Sequence, residues 1–229
     1  MGGAGAAEAR AGEDEPTRQE PVGRSARKRQ AIVAAATALF LRNGYQGTSM
    51  DEVAARAEVS KQTVYKHFAD KEELFRAIVR GVAANSDQVA AELTAAFTAT
   101  EVRSLDDLAA RLTSVARRYL DAVLRPEVLS LRRLVIAEAD RFPDLARAYY
   151  ERAPARGIDV VADALRTYVD RGLLEAQDIR LAAAHFAYLA LALAQDKALF
   201  TPGEPPADAE RDQLSREAAR VFVAAYQVR

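Results

Sequence analysis

The feature that most constrains this chain is the stretch 48–71, Thr-Ser-Met-Asp-Glu-Val-Ala-Ala-Arg-Ala-Glu-Val-Ser-Lys-Gln-Thr-Val-Tyr-Lys-His-Phe-Ala-Asp-Lys. Its apolar spacing predicts two short helices with a tight turn between them, each preceded by a hydroxyl side chain that can cap a helix. In the second helix, Val64 and Phe68 lie four residues apart and can face inward, which leaves polar and basic side chains outside. A short polar helix held by a preceding helix is the helix-turn-helix arrangement that enters the major groove of DNA.

The remainder of the chain is also expected to be helical. Apolar residues recur at three- and four-residue steps, while Gly and Pro number only 11 and 8 in 229 residues. Half of the residues are hydrophobic, which is enough to bury a sizeable core. The sequence therefore predicts an all-α protein. We divide it into a disordered arm at 1–23, a DNA-binding head at 24–71 and a helical body at 72–229.

The charge of the chain is unevenly distributed, although its net value is only −1. Residues 24–71 contain nine Lys or Arg and four acidic residues, whereas the segments on either side carry a net charge of −3 each. A local positive surface on a nearly neutral protein suits a DNA-binding head joined to a body with another task. Arg27 and Lys28 stand in a basic cluster near the start of the head, where they would either contact DNA phosphates or the minor groove, or form a solvated tail.

Composition disfavours several kinds of protein. The chain has no cysteine and only two histidines, His67 and His185, so we expect no disulfide, no metal site and no cofactor. No window contains the roughly 18 uninterrupted apolar residues of a spanning helix, and residues 1–23 lack the apolar segment of a signal peptide. We therefore expect a cytoplasmic protein without membrane contact.

Residues 28–75 resemble the DNA-binding head of the TetR family of bacterial transcriptional regulators. The similarity rests on Thr-Ser-Met-Asp-Glu-Val-Ala-Ala from position 48 and on Val-Ser-Lys-Gln-Thr-Val-Tyr-Lys-His-Phe-Ala-Asp-Lys-Glu-Glu-Leu-Phe from position 59. Residues 133–150, within a similar segment at 126–200, resemble the C-terminal domain of the AefR-like branch. The resemblance implies a nine-helix fold, a body that binds a ligand, and a homodimer that pairs through the last two helices. It also implies a repressor that a small molecule releases from a palindromic double-stranded DNA operator.

The resemblance further implies roles for the polar residues of the head. Four of them would touch phosphates: Thr48, Tyr65, His67 and Lys71. Four others would lie in the major groove: Lys61, Gln62, Thr63 and Lys66. Ser60, which caps the same helix, and the basic pair Arg27 and Lys28 complete the predicted DNA-binding set. His67 could instead be a packed histidine, because it adjoins Phe68.

Two residues of the head depart from the usual family pattern. Glu58 stands in the turn where Gly is common, so a positive φ there would cost roughly 1–2 kcal/mol, unless the turn is regular. Gln62 also stands where Gly is frequent, and its amide could read adenine through a bidentate contact or remain solvated. We therefore predict Gln62 as the main residue for sequence specificity.

Candidate ligand residues follow from their placement on the helices that enclose the cavity in proteins this chain resembles. They are Phe97, Leu112, Tyr119, Leu134, Glu138, Phe142, Tyr150 and His185. A mostly apolar cavity would suit a hydrophobic or aromatic molecule. His185 lies in a very apolar segment, which favours a histidine bonded inside the core over a histidine in the pocket. Tyr149 and Tyr150 are neighbours and cannot face one direction on a helix, so we expect at most one of them to line a cavity.

Other classes of protein are weaker alternatives. An enzyme would need a nucleophile with its base, paired carboxylates in a cleft or a metal set. Glu138 and Asp140 point about 200° apart on a helix and cannot form a carboxylate pair, so we predict that the chain is not an enzyme. The basic surface disfavours a helical interaction module without DNA binding. A transcriptional activator stays open as an alternative to a repressor.

Overall fold

The computed structural model describes residues 23–99 and 101–228, apart from the side chains of 82–86. These residues form α-helices and no β-strand, which confirms the all-α prediction. The helices are α1 (Arg24–Asn43), α2 (Met50–Arg56), α3 (Lys61–His67), α4 (Lys71–Thr98), α5 (Leu105–Val123), α6 (Pro126–Ala137), α7 (Pro143–Tyr150), α8 (Arg156–Asp170), α9 (Ile179–Phe200) and α10 (Asp208–Tyr226). The predicted arm at 1–23 lies outside the described residues, except for Gly23.

The described residues contain ten α-helices, one more than predicted. The difference lies in segment 143–170, which is helical throughout but has a π-helical turn at Glu151–Ala155 between α7 and α8. Pro154 lies inside this turn, where it has no amide hydrogen to donate and its ring crowds the preceding turn of helix. Pro154 therefore accounts for the interruption, and the described residues contain nine helices when α7 and α8 are taken as one.

Hydroxyl side chains fix the starts of the two short helices of the head. Ser49, and not Thr48, caps α2: its Oγ accepts from the amide of Glu52 at 3.2 Å, and the Glu52 carboxylate accepts from the Ser49 amide at 2.8 Å. This backbone hydrogen bond holds the pKa of Glu52 below its usual value. Ser60 caps α3 by accepting from the amide of Thr63 at 3.2 Å. Both short helices therefore have capped N-termini, and Ser60 also ends the turn between α2 and α3.

The apolar core of the head continues into the body. We call it the head cluster, and its buried members from α1 to α4 are Ile32, Ala36, Phe40, Tyr45, Met50, Val53, Ala54, Val64, Phe68, Leu74, Phe75, Ile78 and Val79. Its buried members from α6, α7 and the loop between them are Leu131, Leu134, Val135, Phe142, Leu145 and Tyr149. The core therefore crosses the domain boundary predicted after residue 71, and the first turns of α4 pack with the head.

Aromatic rings join the head to the body at this boundary. Phe142, from the loop between α6 and α7, has its ring centroid 5.1 Å from that of Tyr45 and 5.5 Å from that of Phe75. The guanidinium of Arg141 lies 4.8 Å from the Tyr45 centroid, a cation–π distance. Because Phe142 is only 4% exposed, it holds the α6–α7 loop against the head.

The body has its own apolar core, formed mainly by α5, α8, α9 and α10. Leu112 of α5, Phe186 of α9 and Phe222 of α10 are almost fully buried in it. The rings of Phe186 and Phe222 meet edge to face with centroids 5.4 Å apart. On its outer side, Arg117 of α5 forms ion pairs with acidic residues, one of which is Asp208 of α10 at 2.7 Å. These contacts fix α5 and α10 against each other.

Candidate DNA-binding surface and body cavity

The outward surface of α3 carries the polar and basic side chains predicted to contact DNA. Val64 and Phe68 are 0% and 1% exposed within the head cluster, which turns the opposite side of this helix to solvent. The exposed residues on that side are Lys61, Gln62, Tyr65 and Lys66, with Thr63 and His67 half-buried at its flanks. The predicted orientation of α3 is confirmed, and the contacts of these side chains with DNA stay predictions.

Two polar residues at the start of α3 have partners within the head. Lys61 Nζ lies 2.7 Å from the carboxylate of Asp51 on α2. An exposed ion pair of this kind contributes only about 0–1 kcal/mol, so Lys61 can exchange Asp51 for a group on DNA. The hydroxyl of Ser60 lies 2.8 Å from that of Thr63 in addition to capping the helix. Ser60 therefore stabilises the start of α3 and is also exposed beside the predicted DNA-binding residues.

Thr48 and Lys71 both close the loop between α1 and α2. Thr48 is 2% exposed, and its hydroxyl donates to the carbonyl of Gly44 at 2.9 Å. Lys71 Nζ donates to the carbonyls of Tyr45 and Thr48, each at 2.9 Å, and lies 4.5 Å from the centroid of the Tyr45 ring. Both side chains stabilise the loop, so a phosphate contact by either would have to replace or share one of these bonds.

The turn between α2 and α3 contains the one non-glycine residue with positive φ among the described residues. This residue is Glu58, with φ at 54°. Of the two possibilities left by the sequence, the structure has the left-handed conformation, which costs a residue with a Cβ roughly 1–2 kcal/mol. Its side chain is exposed. The strain therefore lies in the backbone of Glu58 and does not involve its side chain.

The basic cluster at the start of α1 adjoins the end of α3. Arg27 and Lys28 are exposed on the first turn of α1. The guanidinium of the next residue, Arg29, lies 5.0 Å from the ring centroid of Phe68, immediately after α3. Arg29 therefore packs on the head, while its two neighbours extend the positive surface beside α3.

A cavity of about 710 Å³ lies in the body and is lined by residues of α4 to α9. This volume falls within the roughly 300–1,000 Å³ of small-molecule sites. The larger apolar lining residues are Val89, Val123, Val128, Val135, Ile136, Ile158, Leu191 and Leu199. Four tyrosines, Tyr119, Tyr149, Tyr150 and Tyr188, supply hydroxyl groups. The lining is thus mostly apolar, and it also includes charged side chains, among them Arg132 and Asp196.

Tyr119 reaches this cavity through a gap left by a glycine. It is 4% exposed, and its hydroxyl lies so close to Gly157 of α8 that a Cβ added there would stand 2.1 Å from it. Burial raises the pKa of Tyr119 to about 12, so the hydroxyl keeps its proton at physiological pH. A glycine within a helix can mark a close approach of another residue, and Gly157 is such a position.

Two of the eight predicted ligand residues, Tyr119 and Tyr150, line the cavity. The other six do not: Phe97 and Leu112 are buried in the core of the body, Leu134 and Phe142 belong to the head cluster, Glu138 lies half-buried at the end of α6, and His185 lies on the outer side of α9. These corrections have one physical cause. Placement on the correct helix does not tell which side of that helix faces an enclosed space.

Two further expectations for the body are corrected. Both Tyr149 and Tyr150 line the cavity: Tyr149 is 7% exposed and lies inside, whereas Tyr150 is 50% exposed and lies at the edge, where a long side chain can still border the open space. His185 is exposed and is not a core histidine; its Nδ1 lies 2.6 Å from the hydroxyl of Tyr226. Arg132 and Tyr188, which the sequence did not single out, also line the cavity.

The fold and the α3 surface together define a helix-turn-helix DNA-binding protein with a cavity in a separate body. Residues 32–78 match the model of the bacterial regulatory proteins of the tetR family, and residues 110–228 match the C-terminal domain of AefR-like transcriptional repressors. The chain belongs to the TetR family and is a DNA-binding transcriptional regulator.

Solved structures similar to this chain span nearly its whole length. A TetR-family transcriptional regulator of Mesorhizobium loti is 38% identical with a TM-score of 0.77, and the match covers 90% of this chain and 100% of that chain. The flavonoid-responsive regulator FrrA is 28% identical with a TM-score of 0.66, over 89% of this chain and 98% of that one. The shared fold therefore includes the body as well as the head.

Two curated relatives match over about a quarter of this chain. The transcriptional activator FasR of Mycolicibacterium smegmatis is 42% identical over 53 residues, which are 23% of this chain and 24% of that protein. The DNA-binding transcriptional repressor TetR of Mycobacteroides abscessus is 41% identical over 56 residues, which are 24% of this chain and 30% of that protein. The chain thus spans less than a third of the length of either relative. None of the described helices is both long and apolar enough to cross a membrane.

Proposed function

We propose that this regulator is a dimeric repressor that binds a palindromic operator and is released by a hydrophobic or aromatic small molecule in the body cavity. Two heads related by a two-fold axis would place their α3 helices in successive major grooves, about 34–36 Å apart. The exposed basic residues of α3 and of the start of α1 support contacts with bases and phosphates.

One observation carries the proposal that a ligand controls the head. Val135 of α6 and Tyr149 of α7 line the cavity and are also buried members of the head cluster. A molecule that displaces either side chain therefore disturbs the packing that holds α6 and α7 on the head. A ligand that binds better to a body with a different head position lowers DNA affinity by linkage.

An exposed apolar stripe supports the dimer. Along α9, Leu181, Leu189, Leu193 and Phe200 recur about one or two turns apart and are 52%, 43%, 67% and 86% exposed in the single chain. His185 lies within the same stripe, and Val221 of α10 adds an apolar group 38% exposed. Contiguous apolar surface of this kind marks an interaction site, and it lies on the last two helices.

Selection of binding sites from a random DNA library tests the proposed function directly. The full chain is expected to enrich a palindrome whose half-site centres are separated by one helical turn or a multiple of it. Failure to enrich any two-fold symmetric sequence would contradict the operator proposal. A reporter gene placed behind the enriched site then distinguishes a repressor from an activator by the sign of the response.

Gln62 is the residue proposed to read a base, because it is fully outside the packed face of α3. Gln62→Ala should relax discrimination at one base pair of each half-site by roughly 1–3 kcal/mol, while binding to unrelated DNA stays unchanged. Fluorescence anisotropy with single-base operator variants measures both quantities. Tyr65→Phe provides the comparison: Tyr65 is 52% exposed and is predicted to contact a phosphate, so loss of its hydroxyl should weaken binding to all sequences alike. An unchanged base preference in Gln62→Ala would show that Gln62 does not contribute to sequence recognition.

Light scattering at micromolar concentration tests the dimer. The full chain should have twice the mass of one chain, and Leu193→Glu should shift it towards the mass of a monomer, because a buried charge without a partner opposes association. Ile136→Glu is a matched control, since Ile136 is 61% exposed but lies on α6. A monomeric wild-type chain, or equal effects of the two substitutions, would count against the proposed interface.

A further inference from the structure

Among the described residues, the hydroxyl of Tyr119 makes no hydrogen bond. Tyr119 is 4% exposed and lines the cavity, so most of its side chain is packed. Polar groups inside a protein usually have a hydrogen-bond partner. Gly157 leaves the space that this hydroxyl occupies. The donor is thus held in place and left free to bond a molecule in the cavity.

Arg132 of α6 lines the same cavity. It is half-buried, and within the described residues it makes no ion pair and no hydrogen bond. Its charge acts on Tyr119, where it lowers the pKa against the larger effect of burial. The other arginine at the cavity, Arg125, is already paired with Glu92 at 3.2 Å. Arg132 therefore supplies a positive charge that no described side chain neutralises by contact.

Two acidic residues also line the cavity, and they are more exposed to solvent than Arg132. Glu127 and Asp196 are both exposed, so water already solvates their charges. Electrostatic interactions are strongest where water is excluded. The half-buried Arg132 and the hydroxyl of the buried Tyr119 should therefore determine the sign of the charge that a bound ligand carries.

We propose that the effector is an apolar molecule with one carboxylate, whose oxygens accept hydrogen bonds from Tyr119 and Arg132. The apolar part would lie among the valine, leucine and isoleucine side chains of the cavity. A guanidinium and a hydroxyl are both donors suited to a carboxylate. This inference rests on the proposed function, in that it names the chemical class of the effector.

Titration calorimetry of the full chain without DNA tests the proposal with three probes that share one aromatic body: naphthoate, naphthylmethanol and naphthylmethylammonium. Naphthoate should bind at least about tenfold more tightly than the alcohol. A tenfold difference in affinity is what one well-formed hydrogen bond to a charged group contributes. Arg132→Gln should remove most of that difference and leave the affinity for the alcohol unchanged. Tyr119→Phe should weaken naphthoate binding severalfold without affecting the alcohol.

Matched variants separate recognition from general effects. Arg118→Gln, on the exposed side of α5, should leave all three affinities unchanged, and Asp196→Asn should not weaken naphthoate. Tighter binding of the ammonium probe would assign recognition to the acidic residues and overturn the proposal. Equal binding of acid and alcohol, or no binding of naphthoate, would also overturn it. Operator binding is measured in a separate experiment. If the chain binds naphthoate as expected but selects no palindromic DNA, the proposed function is refuted and the carboxylate proposal is not.

Discussion

The two apolar interiors of this protein differ in how completely they are filled. In the head cluster, the rings of Phe40, Tyr45, Phe75 and Phe142 pack with centroids 5.1 to 5.7 Å apart and leave their side chains almost without exposure. The body encloses a cavity of about 710 Å³ between its helices. Close-packed interiors transmit displacement, whereas an interior with open space can change its packing at lower cost.

This difference assigns separate physical tasks to the two regions. The head should move as one unit, because α1 to α3 share a closed core with the start of α4. The open space would let the body rearrange around the proposed ligand, and α6 and α7 belong to both regions through Val135 and Tyr149. The contrast predicts that substitutions in the head cluster mainly change stability, while substitutions around the cavity mainly change the response to a ligand.

Phe142→Ala should have the largest effect on stability. Phe142 is 4% exposed and contacts the rings of Tyr45 and Phe75, so its truncation should lower the free energy of unfolding by about 3–5 kcal/mol. Urea-induced unfolding followed by circular dichroism measures this loss. Phe142→Leu should cost less than about 1.5 kcal/mol, because it preserves most of the volume. Equal losses for the two variants would mean that the junction is not closely packed.

Gly157→Ala and Gly81→Ala should have opposite effects. At position 157 a Cβ would lie 2.1 Å from the Tyr119 hydroxyl, whereas at 81, on α4, none of the described atoms lies within 4 Å of the added Cβ. The crowding should cost about 1–3 kcal/mol, offset by up to about 1 kcal/mol from the helix preference of Ala. Gly81→Ala should gain about 0.5–1 kcal/mol. Thermal unfolding measures both changes, and a stabilising Gly157→Ala would show that Tyr119 moves aside freely.

The surface of α3 could be predicted from the sequence because its determinants are local. Val64 and Phe68 are four residues apart, so a single helical repeat fixes which side is buried and which carries Gln62 and Lys66. The same holds for the caps Ser49 and Ser60, whose partners lie three residues along the chain. Short-range patterns of this kind constrain an orientation without knowledge of the tertiary structure.

The lining of the cavity could not be predicted in the same way. Its residues come from six helices, and whether a side chain faces the open space depends on how all six pack. Leu112 and Tyr119 lie on the same helix, yet the first is in the closed core and the second lines the cavity. The prediction for His185 was wrong for a similar reason, because an apolar helix with one exposed side has the same composition as a helix that is buried all round.

Glu58→Gly should raise the stability of the head by about 1 kcal/mol. Glu58 has φ at 54°, a conformation that a residue without Cβ adopts with little strain, although Gly also adds conformational freedom to the unfolded chain. Glu58→Ala keeps the Cβ and should bring no such gain, so it isolates the backbone effect from loss of the charge. Chemical unfolding of the three chains measures the difference. Equal stabilities for the Gly and Ala variants would contradict a strained turn.

Asp144→Asn should have the smallest effect on stability. The pH dependence of this effect shows whether it comes from loss of the ion pair. Asp144 on α7 pairs with Arg76 on α4 at 2.5 Å, and hydrogen bonding from Arg76 holds the pKa of Asp144 below its usual value. A lowered pKa in the folded state contributes stability above the unfolded pKa of about 3.9, and this contribution is lost as the pH falls through the lower folded value. The stability difference between wild type and variant should therefore be constant from pH 7 to about pH 5 and vanish in stronger acid.

Salt provides the control for this last prediction. The Asp144 side chain is 67% exposed, so the ion pair should weaken as the ionic strength rises, whereas the ring contacts of Phe142 beside it should not. The difference in unfolding midpoint between wild type and Asp144→Asn should therefore shrink as the salt concentration rises. If the difference persisted in strong acid and in high salt, Asp144 would act through the packing of α7 and not through its charge.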